Sequence, residues 1–159
     1  MEEKTLVLIK PDGLVKSLTG NIITTLSETK LKIVGAKVVK VKRDLAEKHY
    51  GELKNNLIKK FGEEKGKQIF ESTLDYIQGK FHTDRVLALV YKGEGAVDKV
   101  RKLAGETNPE KASPISIRGK YGRIHSETKV FENVIHCSDS ADNAKKEIDL
   151  WFKKDEVVE

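Results

Sequence analysis

A histidine, a lysine, two arginines and a threonine stand at positions in this chain where a phosphate could be met. His136 follows the apolar pair Val134-Ile135, which reads as a short strand ending at the histidine. Ser138, Asp139 and Ser140 then cap the amphipathic run Ala141 to Phe152. A histidine at a strand-to-helix junction can present a ring nitrogen to a phosphate, and phosphate collects at helix N-termini. Taken alone, such a histidine is more often structural than catalytic. Lys10 ends the buried strand Thr5 to Ile9 and opens the turn-like Lys10-Pro11-Asp12-Gly13. Its ammonium would stand at the strand's carboxyl edge, where α/β sheets bind ligands, unless it is simply a solvated loop lysine. Arg101, Thr107 and Arg118 fall on a helix end and the loop beyond it, and the planar guanidinium fork suits phosphate oxygens.

These groups need elements to hold them, and hydrophobic periodicity supplies a set. Leu18 to Thr29 is one-sided and helical, Ile33 to Val41 is a β-branched strand, and Leu45 to about Phe61 reads as one helix. A further helical stretch covers Gly66 to Ile77, and Val86 to Tyr91 is the clearest buried strand. Val97 to Ala104 is a short helix closed by Gly105. From Glu106 to about Ser116 neither period is present, so a loop is expected there.

In this order the chain resembles the nucleoside diphosphate kinase family. The matching pieces are Ile9-Lys10-Pro11-Asp12-Gly13, His49-Tyr50, Gly105-Glu106-Thr107-Asn108-Pro109, Ile117-Arg118-Gly119, the box from Asn133 to Ser140, and Glu147 with Leu150-Trp151-Phe152. They span nearly the whole chain. The element order fits, and the resemblance implies, an α/β (α+β) ferredoxin-like sandwich. It would have a mostly antiparallel four-stranded sheet with covering helices, as one domain over residues 1–159.

The resemblance implies transfer of the γ-phosphate of a nucleoside triphosphate to a nucleoside diphosphate, in ping-pong order, through a phosphohistidine at His136. It assigns phosphate contacts to Lys10, Arg101, Thr107 and Arg118, and a ribose and phosphate contact to Asn133. Tyr50 would lie near the histidine. Glu147 would hold its second ring nitrogen, and Ser138 would support that carboxylate. Mg2+ would bridge the β- and γ-phosphates, held by nucleotide and water more than by protein. A homo-oligomer (hexamer, tetramer or dimer) is also implied.

Two stretches depart from the family. Where a phenylalanine usually stacks on the base, this sequence has Ile58, with Phe61 nearby. The chain is also longer between Tyr50 and Arg101, mostly as an expanded helical segment at about 62–81, and again between Arg118 and Asn133.

Composition narrows the alternatives. The net charge of +5 comes from 30 basic and 25 acidic residues, interspersed along the chain. An excess spread in this way is as compatible with an anionic nucleotide as with a nucleic-acid polymer. One cysteine forms no internal disulfide, no Cys/His spacing suggests zinc, and no apolar run reaches membrane length, so the expected location is the cytoplasm. Gly62 to Gln68 imitates a phosphate-binding Gly-rich loop but has three residues between glycines and no Ser/Thr after the lysine. Gly93-Glu94-Gly95 lacks the third glycine of a dinucleotide site. His49, His82 and His125 read as structural or solvated, Trp151 and Phe152 as packing. The alternative function is a non-catalytic ferredoxin-like nucleotide- or RNA-binding or regulatory module. RNA binding would want aromatics on the central strands, and Val86 to Tyr91 shows no such pattern.

Overall fold

Residues 1–159 are described by a computed structural model. Strand β1 (Glu2–Ile9) is the centre of the fold, and its apolar run is buried because both of its faces are covered. Pro11 then starts a short helix, α1 (Pro11–Val15), where a turn was expected. Proline is at home in that first turn, since its fixed φ is helical and its missing N–H has no partner there anyway. Helix α2 (Thr19–Ser27) and strand β2 (Lys32–Val39) follow as the periodicity indicated.

The expected single helix from Leu45 to Phe61 is two: α3 (Arg43–His49) and α4 (Leu53–Phe61). The break falls at Tyr50-Gly51-Glu52, where the weak helix former Gly51 lets the chain turn. Helix α5 (Glu63–Ile77) packs antiparallel to α4 across Gly62. The two helices touch backbone to backbone: a Cβ on Gly66 would come within 2.6 Å of Ile58 Cα. Strand β3 (Val86–Glu94) and helix α6 (Ala96–Ala104) lead into the expected loop. Beyond it lie α7 (Ile117–Tyr121), the small hairpin of β4 (Arg123–Ile124) and β5 (Phe131–Glu132), then β6 (Ile135–Cys137) and α8 (Ala141–Trp151).

The four-stranded sheet has the order β2-β3-β1-β6, and every neighbouring pair is antiparallel. Alternation along β1 divides the core. Leu6 and Leu8 join Val86, Ala88, Phe70, Leu74, Ile77 and Trp151 on one face. Val7 and Ile9 join Ile22, Leu26, Val100 and Ala104 on the other. Helices thus cover both sides of the sheet, which leaves no open sheet face of the kind an RNA-binding module stacks bases on.

Candidate active site

His136 lies within β6 and not beyond the strand's end. Leu8 pairs with His136 and Val7 with Cys137, so the two side chains point to opposite faces. Cys137 is buried in the cluster with Val7 and Ile9. The strand begins late because Val134, expected inside it, has φ +61. The Ile135 N–H donates to the Asn133 carbonyl at 2.7 Å, closing a three-residue turn around Val134. A left-handed β-branched residue costs about 1–3 kcal/mol, which the surrounding bonds must offset.

A chain of hydrogen bonds sets the imidazole. The Leu6 N–H donates to Ser138 Oγ at 3.1 Å, and the Ser138 hydroxyl donates to Glu147 Oε2 at 2.6 Å. The same oxygen lies 3.1 Å from His136 Nε2. With a carboxylate acceptor there, Nε2 carries the proton and Nδ1 keeps its lone pair. The orientation is anchored in the central strand, and Ser138, fully buried, is its hinge.

Sequence reasoning passed over His49, yet its ring meets His136 edge-on with centroids 4.4 Å apart. Trp151, read as packing, donates its indole N–H to His49 Nδ1 at 3.2 Å. The signal was there: a buried indole N–H needs an acceptor. Burial, then the neighbouring His136 and Lys10, hold His49 well below the usual histidine range, so it stays neutral. Ligand atoms of His49, His136 and Glu147 lie within 4.8 Å of one another, close enough to suggest a metal. Proton count argues otherwise. With Trp151 on Nδ1, the neutral His49 ring carries its proton on Nε2 and has no lone pair to give. Tyr50 is adjacent, 4.8 Å from the His49 ring, and burial raises its hydroxyl above the usual tyrosine range, keeping it a neutral donor.

Lys10, Arg118 and Arg101 are the cations that the sequence assigned to phosphate, and all three line the cleft. Lys10 caps α1 and is almost fully buried. Its Nζ donates to Asn133 Oδ1 at 2.8 Å and to the Phe131 carbonyl at 3.4 Å. Burial pushes the ammonium down to about 8, against the opposing pull of Asp12. Arg118, on α7, donates Nε and Nη2 to the Ile135 carbonyl at 3.3 and 3.1 Å, and Nη1 to the Gly105 carbonyl at 2.9 Å. Two of its five N–H groups remain for a ligand. Arg101 is exposed on α6 and lines the same cleft. Gly105 has φ +85, and a Cβ there would meet Ser116 Oγ at 2.3 Å, so glycine is what lets the loop fold onto α7. Asn133 ties this loop to Lys10, because its amide Nδ2 donates to the Thr107 carbonyl at 2.8 Å.

The cleft holds about 550 Å³ and brings together Lys10, Tyr50, Arg101, Thr107, Arg118, Asn133, His136 and Glu147. Part of its lining is apolar, contributed by Leu53, Leu57, Phe61, Ile69 and Phe131. Of the two residues considered for stacking, Phe61 lines this part and Ile58 does not, because Ile58 is pressed onto α5 at Gly66. Asp139, read from the sequence as part of a helix cap, also lines the cleft, as do Lys60 and Lys129, which the sequence did not single out. Lys67 stands away from it, paired with Glu63 at 2.7 Å on the surface, so the glycine-rich imitation is no phosphate loop.

A family model described as nucleoside diphosphate kinase matches residues 3–157. The chain belongs to the nucleoside diphosphate kinase family. It is an enzyme, a phosphotransferase of nucleotide metabolism. The nucleoside diphosphate kinase of Pyrococcus furiosus is 44% identical over 157 residues, covering 99% of this chain and 87% of its own. That of Pelotomaculum thermopropionicum is 41% identical, with 99% and 92% covered. Among solved structures, an NDP kinase from Pyrobaculum aerophilum superposes with a TM-score of 0.86 at 32% identity, covering 100% of both chains. The Borrelia burgdorferi nucleoside diphosphate kinase, a transition-state mimic with bound vanadate and ADP, gives 0.82 at 32% identity, covering 99% and 91%. The ferredoxin-like fold expected from the sequence is the one these kinases share.

Proposed function

We propose that this nucleoside diphosphate kinase works through a phosphohistidine at His136, in ping-pong order. The observation that carries the reading is the Leu6–Ser138–Glu147–His136 chain, which spends Nε2 on a carboxylate and leaves Nδ1 free within a cationic cleft. In the first half-reaction the Nδ1 lone pair attacks the γ-phosphorus. The bond to the β,γ-bridging oxygen breaks, and the diphosphate leaves with that electron pair. The phosphorylated ring gains positive character, which the Glu147 carboxylate stabilises through Nε2–H. A second diphosphate then takes the phosphoryl group by the reverse path. Lys10, Arg101 and Arg118 meet charge that spreads over phosphate oxygens, and Tyr50 and Thr107 add neutral donors. Asn133 holds Lys10 and the Thr107 loop in register, with one amide hydrogen left for the sugar or the phosphate. Phe61 is the proposed partner of the base.

Nucleoside diphosphate kinases act with a divalent metal, here taken as Mg2+. The lining contains one exposed carboxylate, Asp139, while Glu147 is committed to His136 and Ser138. Such a set fits an ion held mainly by phosphate oxygens and water, as Mg2+ prefers, with Asp139 to hold one of those waters. When bound, it neutralises phosphate charge. A homo-oligomer belongs to the same proposal, supported by Ile33 and Val38 exposed on the edge strand β2. No helix is long and apolar enough to cross a membrane; a cytoplasmic location is proposed from the family and from the sequence.

The test is incubation with γ-labelled ATP, followed by a different nucleoside diphosphate. One acid-labile, base-stable phosphate per chain is expected, discharged to the corresponding triphosphate on addition of the acceptor. Transfer of label to the acceptor in the presence of both nucleotides, with none ever on the chain, would replace the covalent reading by direct transfer. Glu147 gives a graded check. Glu147→Gln keeps volume and a hydrogen-bond acceptor but loses charge, and should slow phosphohistidine formation at saturating ATP by roughly tenfold. Glu147→Ala frees the ring as well and should cost up to about 10³-fold. Wild-type rates in both variants would make Glu147 an ordinary helix carboxylate.

A further inference from the structure

Helix α5 reaches the active site through a residue that neither the motifs nor the chemistry above uses. Tyr76, near the C-terminal end of α5, is completely buried, and its hydroxyl donates to Asp12 Oδ1. Asp12, in α1, is equally buried, and its Oδ2 accepts the Val134 N–H at 3.1 Å. The Val134 carbonyl is taken by the Lys10 N–H at 2.9 Å. Both backbone groups of the left-handed residue are therefore pinned, one by Lys10 itself and one by the carboxylate that Tyr76 holds. The Tyr76 ring also lies beneath the Lys10 ammonium, with Nζ 5.0 Å from its centroid. Val134 sits between Asn133, which orients Lys10, and Ile135, whose carbonyl Arg118 grips.

We infer that Tyr76 is a positioning residue for phosphoryl transfer: it holds Asp12 so that the turn at Val134 keeps Lys10, Asn133 and His136 in register. A carboxylate with no exposed surface needs a donor on each oxygen. Without the hydroxyl, Asp12 would turn toward the neighbouring ammonium or lose its grip on the Val134 N–H. The strained turn would then relax toward the extended conformation that valine prefers, carrying the start of β6 with it. Helix α5 thus brings a brace for the nucleophile's strand. The inference rests on His136 being the phosphorylated residue.

The experiment measures the rate of His136 phosphorylation by ATP in the full chain, as wild type, Tyr76→Phe, Asp12→Asn and the double variant. Tyr76→Phe should lower the rate at saturating ATP by about tenfold or more, the scale of a lost buried bond to a charged group. The ATP concentration for half-saturation should stay within about twofold, because the nucleotide's own contacts are kept. An amide turned with its oxygen on the Val134 N–H no longer strands a charge. In the Asp12→Asn background Tyr76→Phe should therefore cost less than about threefold, a coupling that residues acting independently would not show. A wild-type rate in Tyr76→Phe, an equal factor in both backgrounds, or a loss confined to half-saturation would each overturn the inference. If Tyr76→Phe does not fold at the assay temperature, the double variant against Asp12→Asn decides: rates within threefold support it and a further tenfold loss overturns it. Absence of label on the wild-type chain would instead sink the phosphohistidine reading, so the two failures are distinguishable.

Discussion

His136→Ala is expected to abolish labelling by γ-labelled ATP and to lower nucleotide exchange by at least about 10⁴-fold, as loss of a covalent nucleophile does elsewhere. The fold should survive. His136 is partly exposed in the cleft, its side chain 21% accessible, and it belongs to neither core cluster on the two faces of the sheet. Its loss leaves Ser138 and Glu147 hydrogen-bonded to each other, so no buried group is orphaned. Melting and circular dichroism should therefore match the wild type within a few degrees. ATP should still bind, since Lys10, Arg101 and Arg118 stand on other elements. His49→Ala makes the necessary contrast. Its ring touches His136 but holds its proton on Nε2, so that variant should keep one phosphate per chain, at a reduced rate. Label that persists in His136→Ala would move the nucleophile elsewhere, and label lost equally in His49→Ala would make the pair, not His136, the reacting unit.

What was legible beforehand follows from where each residue's constraint comes from. Gly105 and the Ser116 that it approaches are short-range features, and such turn chemistry writes itself into a motif. The Ser138–Glu147 pair came from the family resemblance, and the Ser140 cap, which fixes the phase of α8, turns Glu147 to the face where they meet. Phe61 against Ile58 was not reachable. Which of them faces the cleft depends on the break at Gly51 and on the contact at Gly66, and neither shows in the period of α4. Val134 was misplaced for an energetic reason. Local preference makes a valine extended, and only the distant groups Asp12 and Lys10 hold it left-handed. Asp12 was in plain view in Lys10-Pro11-Asp12-Gly13, yet its partner Tyr76 is 64 positions away on α5. Turns and caps are local; a brace across three elements is not.

Lys10 is expected to show activity and stability moving in opposite directions with pH. Its ammonium is buried to about 8, well below the lysine value of 10.5, chiefly because burial penalises the charge. Only the charged form can meet the phosphate, so kcat/KM, which reports the free enzyme, should fall about tenfold per pH unit above pH 8. Stability takes the other sign. Between about pH 8 and 10.5 the unfolded chain binds the proton and the folded chain does not, so Lys10 makes stability rise with pH in that window. Its charge penalty is fully present below pH 8. Lys10→Met, which keeps the stem and removes the charge, should lower turnover at pH 7 by about 10²-fold or more. It should also flatten the alkaline limb of kcat/KM and remove Lys10's share of the stability rise. Lys67→Ala, on the surface pair with Glu63, should change turnover by less than about threefold. A methionine variant with near-normal turnover, or one that keeps the alkaline limb unchanged, would take Lys10 out of the phosphate clamp. If wild-type stability and activity fell together through pH 8 to 10, the lost activity would be unfolding and not the titration of this ammonium.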